Sequence, residues 1–225
     1  MSLTDPPGLK LDSLLQWMSL NISGVDDSAK LQTTLLAGGR SNISYKLTDA
    51  SGSSWVLRRP PLGHIMPSAH DMGREFRVLS GLNSVSFPTP KAQGICADEE
   101  IIGSKFMLMD FVDGRVIESA ETAMTLSDIQ AGVISQNLVD TLAKLHRVDP
   151  ADAGLDQLGR PEGYLQRQVK RWGEQWQLTK TRELVEIEEL HNWLEGAISK
   201  LPTNLPSAIV HGDYRIDNVI LDPKT

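Results

Sequence analysis

The apolar texture of the chain changes at Asp113-Gly114, and that change limits the folds open to it. Before it lie short runs rich in β-branched, aromatic and aliphatic residues: LQTTLLA, NISYKLT and SWVLRR, then GICA and KFMLMDFV. Such runs suit pleated, half-buried strands. GGRS and DASGS separate the first three, and turn chemistry at that spacing predicts an antiparallel meander. One helix interrupts the strands. Ser68 and Asp71 have the spacing of a capping box, and Glu75, Val78, Leu79 and Leu82 follow at helical intervals. After Gly114 the apolar residues recur every three or four positions. Ala131, Ile134, Leu138, Leu142 and Leu145 form one stripe, behind a Ser127 and Gln130 cap. Leu165, Val169, Trp172 and Trp176 form a second, and Ile187, Leu190, Leu194, Ile198 and Leu201 a third. Stripes of this period predict amphipathic helices. AIV is expected as a strand leading into His211. An earlier helix over LKLDSLLQWM would bury Leu11, Leu14, Leu15 and Met18. The expected fold is therefore α+β, with a helical segment over 1–30, a sheet-rich lobe over 31–112 and a helical lobe over 113–225.

Composition narrows the function. A chain of 225 residues buries a core without help from crosslinks. Its 22 basic and 29 acidic residues give a net charge of −7, which disfavours a nucleic-acid partner. The one cysteine, Cys96, excludes an internal disulfide and a cysteine-built zinc cluster, and suits a reducing compartment. No uninterrupted apolar stretch nears the roughly 18 residues of a membrane span, and MSLTDPPGLK is too polar for a signal sequence. The expectation is a soluble, cytoplasmic protein with no membrane partner.

The densest chemistry lies in HGDYRIDNVILDPKT, residues 211–225. Asp213 and Asn218 sit five residues apart on a loop between expected strands. That pattern suits phosphoryl transfer: an aspartate to take a hydroxyl proton, and an asparagine to offer a neutral oxygen to Mg²⁺. The plainer alternative is a turn in which both side chains satisfy their own backbone. His64, His70 and His191 have no ligand spacing, so a histidine metal site is not expected. His146 and His211 read as structural.

His211-Gly212-Asp213-x-x-x-x-Asn218 resembles the catalytic loop of the aminoglycoside/choline phosphotransferase family, which has a two-lobed protein-kinase-like fold. The resemblance runs from about Leu31 to Thr225 and implies roles upstream. LAGGRSNISYKL is similar to the family's nucleotide-covering hairpin. There Gly38 and Gly39 would let backbone approach a phosphate, and Ser41 and Asn42 would donate to it. SWVLRRPP stands where the fold carries its phosphate-gripping lysine, so Arg58 would take that role with Val56 on the same face, and Arg59 is the alternative. GREFRVLSGL resembles the partner helix, with Glu75 pairing to Arg58. FMLMDFVDGR resembles the hinge, whose backbone from Met109 to Phe111 would meet adenine. Trp172 and Trp176 are either core residues or a wall of the acceptor site.

The resemblance implies ATP and Mg²⁺ as cofactors, a small-molecule hydroxyl as acceptor, Asp213 as the catalytic residue and Asn218 as a metal ligand. It also implies a second metal-holding aspartate beyond VILD, so the sequence reads as the front part of a longer protein. VLRRPP and RPEGYLQRQVKRW resemble the branch found with acyl-CoA dehydrogenases. A nucleotide-binding pseudokinase and a non-catalytic interaction domain are the rival expectations.

Overall fold

Five strands form one antiparallel sheet in the order β1-β2-β3-β5-β4. They are β1 (Gln32–Leu35), β2 (Ile43–Thr48), β3 (Ser54–Arg59), β4 (Ala92–Cys96) and β5 (Phe106–Asp110). The protein is represented by a computed structural model that describes residues 5–36, 42–62, 71–202 and 206–222. The first three strands are the expected meander, with Leu57 opposite Tyr45 and Leu108. Cross-strand partners share a face, so period-two alternation sorts the sheet into two surfaces. Tyr45, Leu47, Trp55, Leu57, Phe106 and Leu108 point one way and are buried. Val56, Met107 and Met109 point the other way.

Helix α1 (Leu11–Asn21) covers the first surface. Leu14 and Met18 are fully buried there, with Leu11 and Leu15 half-buried beside them. Trp17 meets Phe106 edge-on, ring centroids 5.0 Å apart. Gly94 permits this approach, because a Cβ at that position would stand 2.7 Å from the Ile22 side chain. Burying side chains of this size contributes roughly 1.5–3 kcal/mol each, so the α1 interface is the main apolar core of the sheet.

Helix α2 (Met72–Ser84) packs against β4 and β5. Its N-cap is Asp71, whose carboxylate accepts from the Arg74 amide at 3.0 Å. The expected capping box began at Ser68, which lies outside the described residues. Since an N-cap carboxylate satisfies an otherwise orphaned amide, Asp71→Ala should cost about 1 kcal/mol. A urea titration reads this as a lower midpoint with an unchanged slope.

Beyond the sheet, α3 (Ala120–Met124) is a short helix capped by Ser119 that apolar periodicity does not announce. Helix α4 (Asp128–Arg147) opens on the expected box, Ser127 and Gln130 bonding each other's backbone. Ile134 and Leu145 of its stripe are buried. The chain divides into two units, residues 1–155 with 209–225, and residues 156–208. In the second unit α5 (Tyr164–Thr179) packs on α6 (Val185–Ile198), and a Cβ on Gly173 would stand 2.4 Å from the His191 imidazole. Val169, Trp176, Ile187 and Leu194 are half-buried, but Trp172 and Leu190 are exposed. The reason is geometric: one helical neighbour covers a narrow seam, not a stripe some 100° wide.

Candidate active site

The loop from His211 to Leu221 is tied down along its length. Gly212 adopts φ +85°, a left-handed conformation that suits glycine. The Asp213 amide donates to His211 Nδ1 at 3.3 Å. His211 therefore braces the turn through its unprotonated nitrogen, and its ring stands edge-on to Tyr214 at 5.4 Å. The Tyr214 hydroxyl donates to the Leu138 carbonyl of α4 at 2.8 Å, and burial pushes its pKa upward. Leu221 exchanges two backbone hydrogen bonds with Arg115, at 2.9 and 2.8 Å. Gly114 makes room for that bridge, since a Cβ there would lie 2.6 Å from the Leu221 carbonyl oxygen.

The expected AIV strand is not formed. Residues 206–210 join no ladder, and Ile209 is buried within irregular backbone. An apolar run of three can bury one side chain without finding a strand edge to pair with. Among the described residues after Asn218, Leu221 makes a single bridge.

A 3-10 turn over Ile216–Asn218 folds Asn218 back onto Asp213. The Asn218 amide nitrogen donates at 2.9 Å to the Asp213 carbonyl and at 2.9 Å to its carboxylate Oδ2. With the nitrogen so engaged, the amide oxygen is the end that can face a ligand. Arg215 pairs with Asp217, its Nε 3.0 Å from Oδ1, and lies 3.8 Å from Asp213 Oδ1. Asp217 raises the Arg215 pKa, and Arg215 lowers that of Asp217. The Asp213 carboxylate thus lies beside a guanidinium already neutralised by another acid, and it stays open to solvent.

Most of the other described candidates lie on the sheet surface opposite α1. Arg58 Nε stands 2.8 Å from Glu75 Oε2 of α2, an ion pair whose N–H is poorly aligned for a hydrogen bond. Asn42 is buried and donates to the other carboxylate oxygen, Oε1, at 2.8 Å. Val56 lies on the same face, opposite Lys46 and Met109. Arg59 takes the other surface with Trp55 and Leu57. It is 4% exposed, donates from Nε to the Pro60 carbonyl at 3.1 Å and reaches the Gly8 carbonyl.

At the end of β5 the Phe111 amide donates to the Ser54 carbonyl at 3.3 Å, and Lys46 Nζ sits 3.8 Å above the Phe111 ring. Gly38, Gly39 and Ser41 lie outside the described residues. The described candidates thus form two groupings: Asp213 with Asn218, and Arg58 with Glu75 and Asn42. The sequence reading assigned Tyr214 no role and Gly114 only that of a boundary, although an aromatic inside a polar loop and a glycine just past an apolar strand were visible hints. Among the described residues, no three or more His, Cys, Asp or Glu side chains gather as a metal site. No described helix is long and apolar enough to cross a membrane.

The rat protein named acyl-CoA dehydrogenase family member 11 is 36% identical over 202 residues, which is 89% of this chain and 25% of that protein. The chain thus spans about a quarter of the length of this curated relative. Among solved structures, a candidate aminoglycoside phosphotransferase from Ralstonia eutropha JMP134 superposes with a TM-score of 0.77 at 30% identity. That match covers 95% of this chain and 61% of the other. The GDP and kanamycin complex of APH(2″)-IIIa superposes at 0.61 with 14% identity, covering 94% and 68%, a likeness of fold. The fold is accordingly the kinase-like one of the aminoglycoside phosphotransferases. The pattern of the phosphotransferase enzyme family matches residues 32–225, and the chain belongs to that family.

Proposed function

We propose that the chain is the nucleotide-binding and catalytic part of a kinase that moves the γ-phosphoryl group of ATP to a hydroxyl of a small molecule. The observation that carries this reading is the Asp213–Asn218 pair, joined side chain to side chain on a loop pinned to α4 and to Arg115. Asp213 is the catalytic residue. It orients the acceptor hydroxyl and takes its proton as the oxygen attacks the γ-phosphorus. The bond from that phosphorus to the β–γ bridging oxygen breaks, leaving ADP and a phosphate ester. Most of the acceleration in such transfers comes from positioning and charge stabilisation.

The residues present fit Mg²⁺. Asn218 presents a hard neutral oxygen of the kind Mg²⁺ takes alongside phosphate oxygens. When bound, the ion would neutralise charge building on the phosphates. Arg58, held by Glu75, grips phosphate oxygens, with Gly38, Gly39 and Ser41 covering them. Val56 packs on the base, and the backbone from Met109 to Phe111 meets its edge.

The acceptor is a small alcohol. The acyl-CoA dehydrogenase name borne by a relative at 36% identity favours a hydroxyacyl thioester. A pseudokinase is the second reading, favoured by arginine at the position where the fold carries lysine.

Thermal melting with and without nucleotide tests both. ATP with Mg²⁺ should raise the melting temperature and, with candidate alcohols, release ADP. At saturation a hundred times over Kd the stabilisation is about 2.7 kcal/mol. Chelation by EDTA should abolish turnover. Stabilisation without turnover of any alcohol supports the pseudokinase, and no stabilisation by any nucleotide sinks both readings.

A further inference from the structure

We infer that Asn42 is a positioning residue for the phosphate grip, acting through the Glu75 carboxylate; this rests on the phosphotransferase reading. A half-buried glutamate on the first turn of α2 has several rotamers, and an ion pair in partial contact with water holds it weakly. Here both carboxylate oxygens are taken. Asn42 Nδ2 holds Oε1 at 2.8 Å while Arg58 Nε faces Oε2 at 2.8 Å. A carboxylate only accepts, so the amide must present its N–H₂ end to Glu75, which fixes how the asparagine is oriented.

Asn42 is 3% exposed, whereas the Arg58 and Glu75 side chains are 35% and 34% exposed. The buried member of the trio is therefore the asparagine, and the half-buried arginine is the one that must stay aimed at a ligand. The strand register supports this geometry. Ser44 lies opposite Arg58, so Asn42, two residues earlier on the same face, reaches the α2 side of the sheet as Arg58 does. Asn42, just before β2, thus holds Glu75 of α2, and Glu75 in turn pairs with Arg58 of β3. Losing it frees Glu75 to swing and lets Arg58 drift from the phosphates, without removing any charge from the site.

The test measures ATP–Mg²⁺ affinity by calorimetry in the full-length protein, with apo melting temperatures alongside. Hydrogen bonds to charged groups set the scale, so Asn42→Ala should weaken ATP about 10-fold. Asn42→Asp places two carboxylates together and should weaken it more, on the order of 100-fold. Combining Asn42→Asp with Glu75→Gln restores a donor–acceptor pair with the charge merely moved. The amide, now carried by α2, would donate to the carboxylate at the start of β2, and its oxygen would accept from Arg58. This exchange should recover all but about 5-fold of the loss. A purely architectural asparagine would lower the apo melting temperature, leave ATP affinity unchanged in the folded variants and show no rescue by exchange. That result would overturn the inference. Should Asn42→Ala fail to fold, the single Asn42→Asp and the exchanged pair carry the decision. ATP bound tightly by the wild type and equally by both single variants removes the positioning role alone. Absence of ATP binding by the wild type removes the phosphotransferase reading, and the positioning role with it.

Discussion

Asp213→Ala is expected to lower kcat for phosphoryl transfer by about 10²- to 10⁴-fold, the span attached to a positioned general base. The side chain is open to solvent, and the loop's other ties do not depend on it: Gly212 turns, Tyr214 reaches Leu138, and Leu221 pairs with Arg115. The variant should fold and bind ATP nearly as well as the wild type. One secondary effect follows from geometry. Asn218 loses its side-chain partner but keeps the Asp213 carbonyl, so its amide should stay close to where it is. Single-turnover kinetics with a phosphorylated alcohol as product, run beside ATP calorimetry, separates the two quantities. Turnover unchanged by the substitution would remove Asp213 from the chemistry, and a parallel loss of ATP binding would mean that the loop had collapsed.

Asp213→Asn sharpens the same test. It keeps the volume and one acceptor oxygen for Asn218, and replaces the basic carboxylate by a neutral amide. A similar loss in both variants assigns the effect to proton acceptance. A much milder loss in the asparagine variant would point to positioning of the acceptor.

The sequence carried these elements unequally. Asp213 and Asn218 were legible because their spacing is local: five residues of loop suffice to bring the pair together, and the 3-10 turn over Ile216–Asn218 does so. The meander was legible for a similar reason, short strands joined by turn residues whose chemistry is local. What resisted reading depended on distant partners. Whether AIV becomes a strand is decided by an edge to pair with, and residues 206–210 meet none. Trp172 has the spacing of a core residue, but its exposure is fixed by how little of α5 one neighbour can cover. Asn42 looked like a phosphate donor beside a glycine turn. Its amide in fact meets Glu75, thirty-three positions away, and no local pattern announces that contact.

Arg58 and Arg59 show the difficulty most sharply, because adjacent residues of one type were distinguishable only by face. The face is set by α1, whose Leu14 and Met18 fill the surface that Trp55 and Leu57 share. Arg59 follows that parity into the buried layer, and Arg58 is left on the surface that meets α2. The two arginines should therefore fail in opposite ways. Arg58→Ala removes the charge that the proposed function aims at phosphates. It should weaken ATP by about 10- to 100-fold, as expected for charge-assisted hydrogen bonds, with little change in melting temperature, since a partly exposed ion pair contributes roughly 1 kcal/mol or less. Arg59→Ala leaves the Gly8 and Pro60 carbonyls without their buried donor, at about 1–3 kcal/mol for each group left unsatisfied. It should lower the melting temperature while leaving ATP affinity in the folded protein near the wild-type value. Arg58→Lys adds a third reading: lysine keeps the charge but loses the fork, so recovery of most affinity would show that charge alone holds the phosphates. Calorimetry and a denaturant titration on the same three preparations decide the matter. Loss of ATP binding in Arg59→Ala with Arg58→Ala unaffected would reverse the assignment.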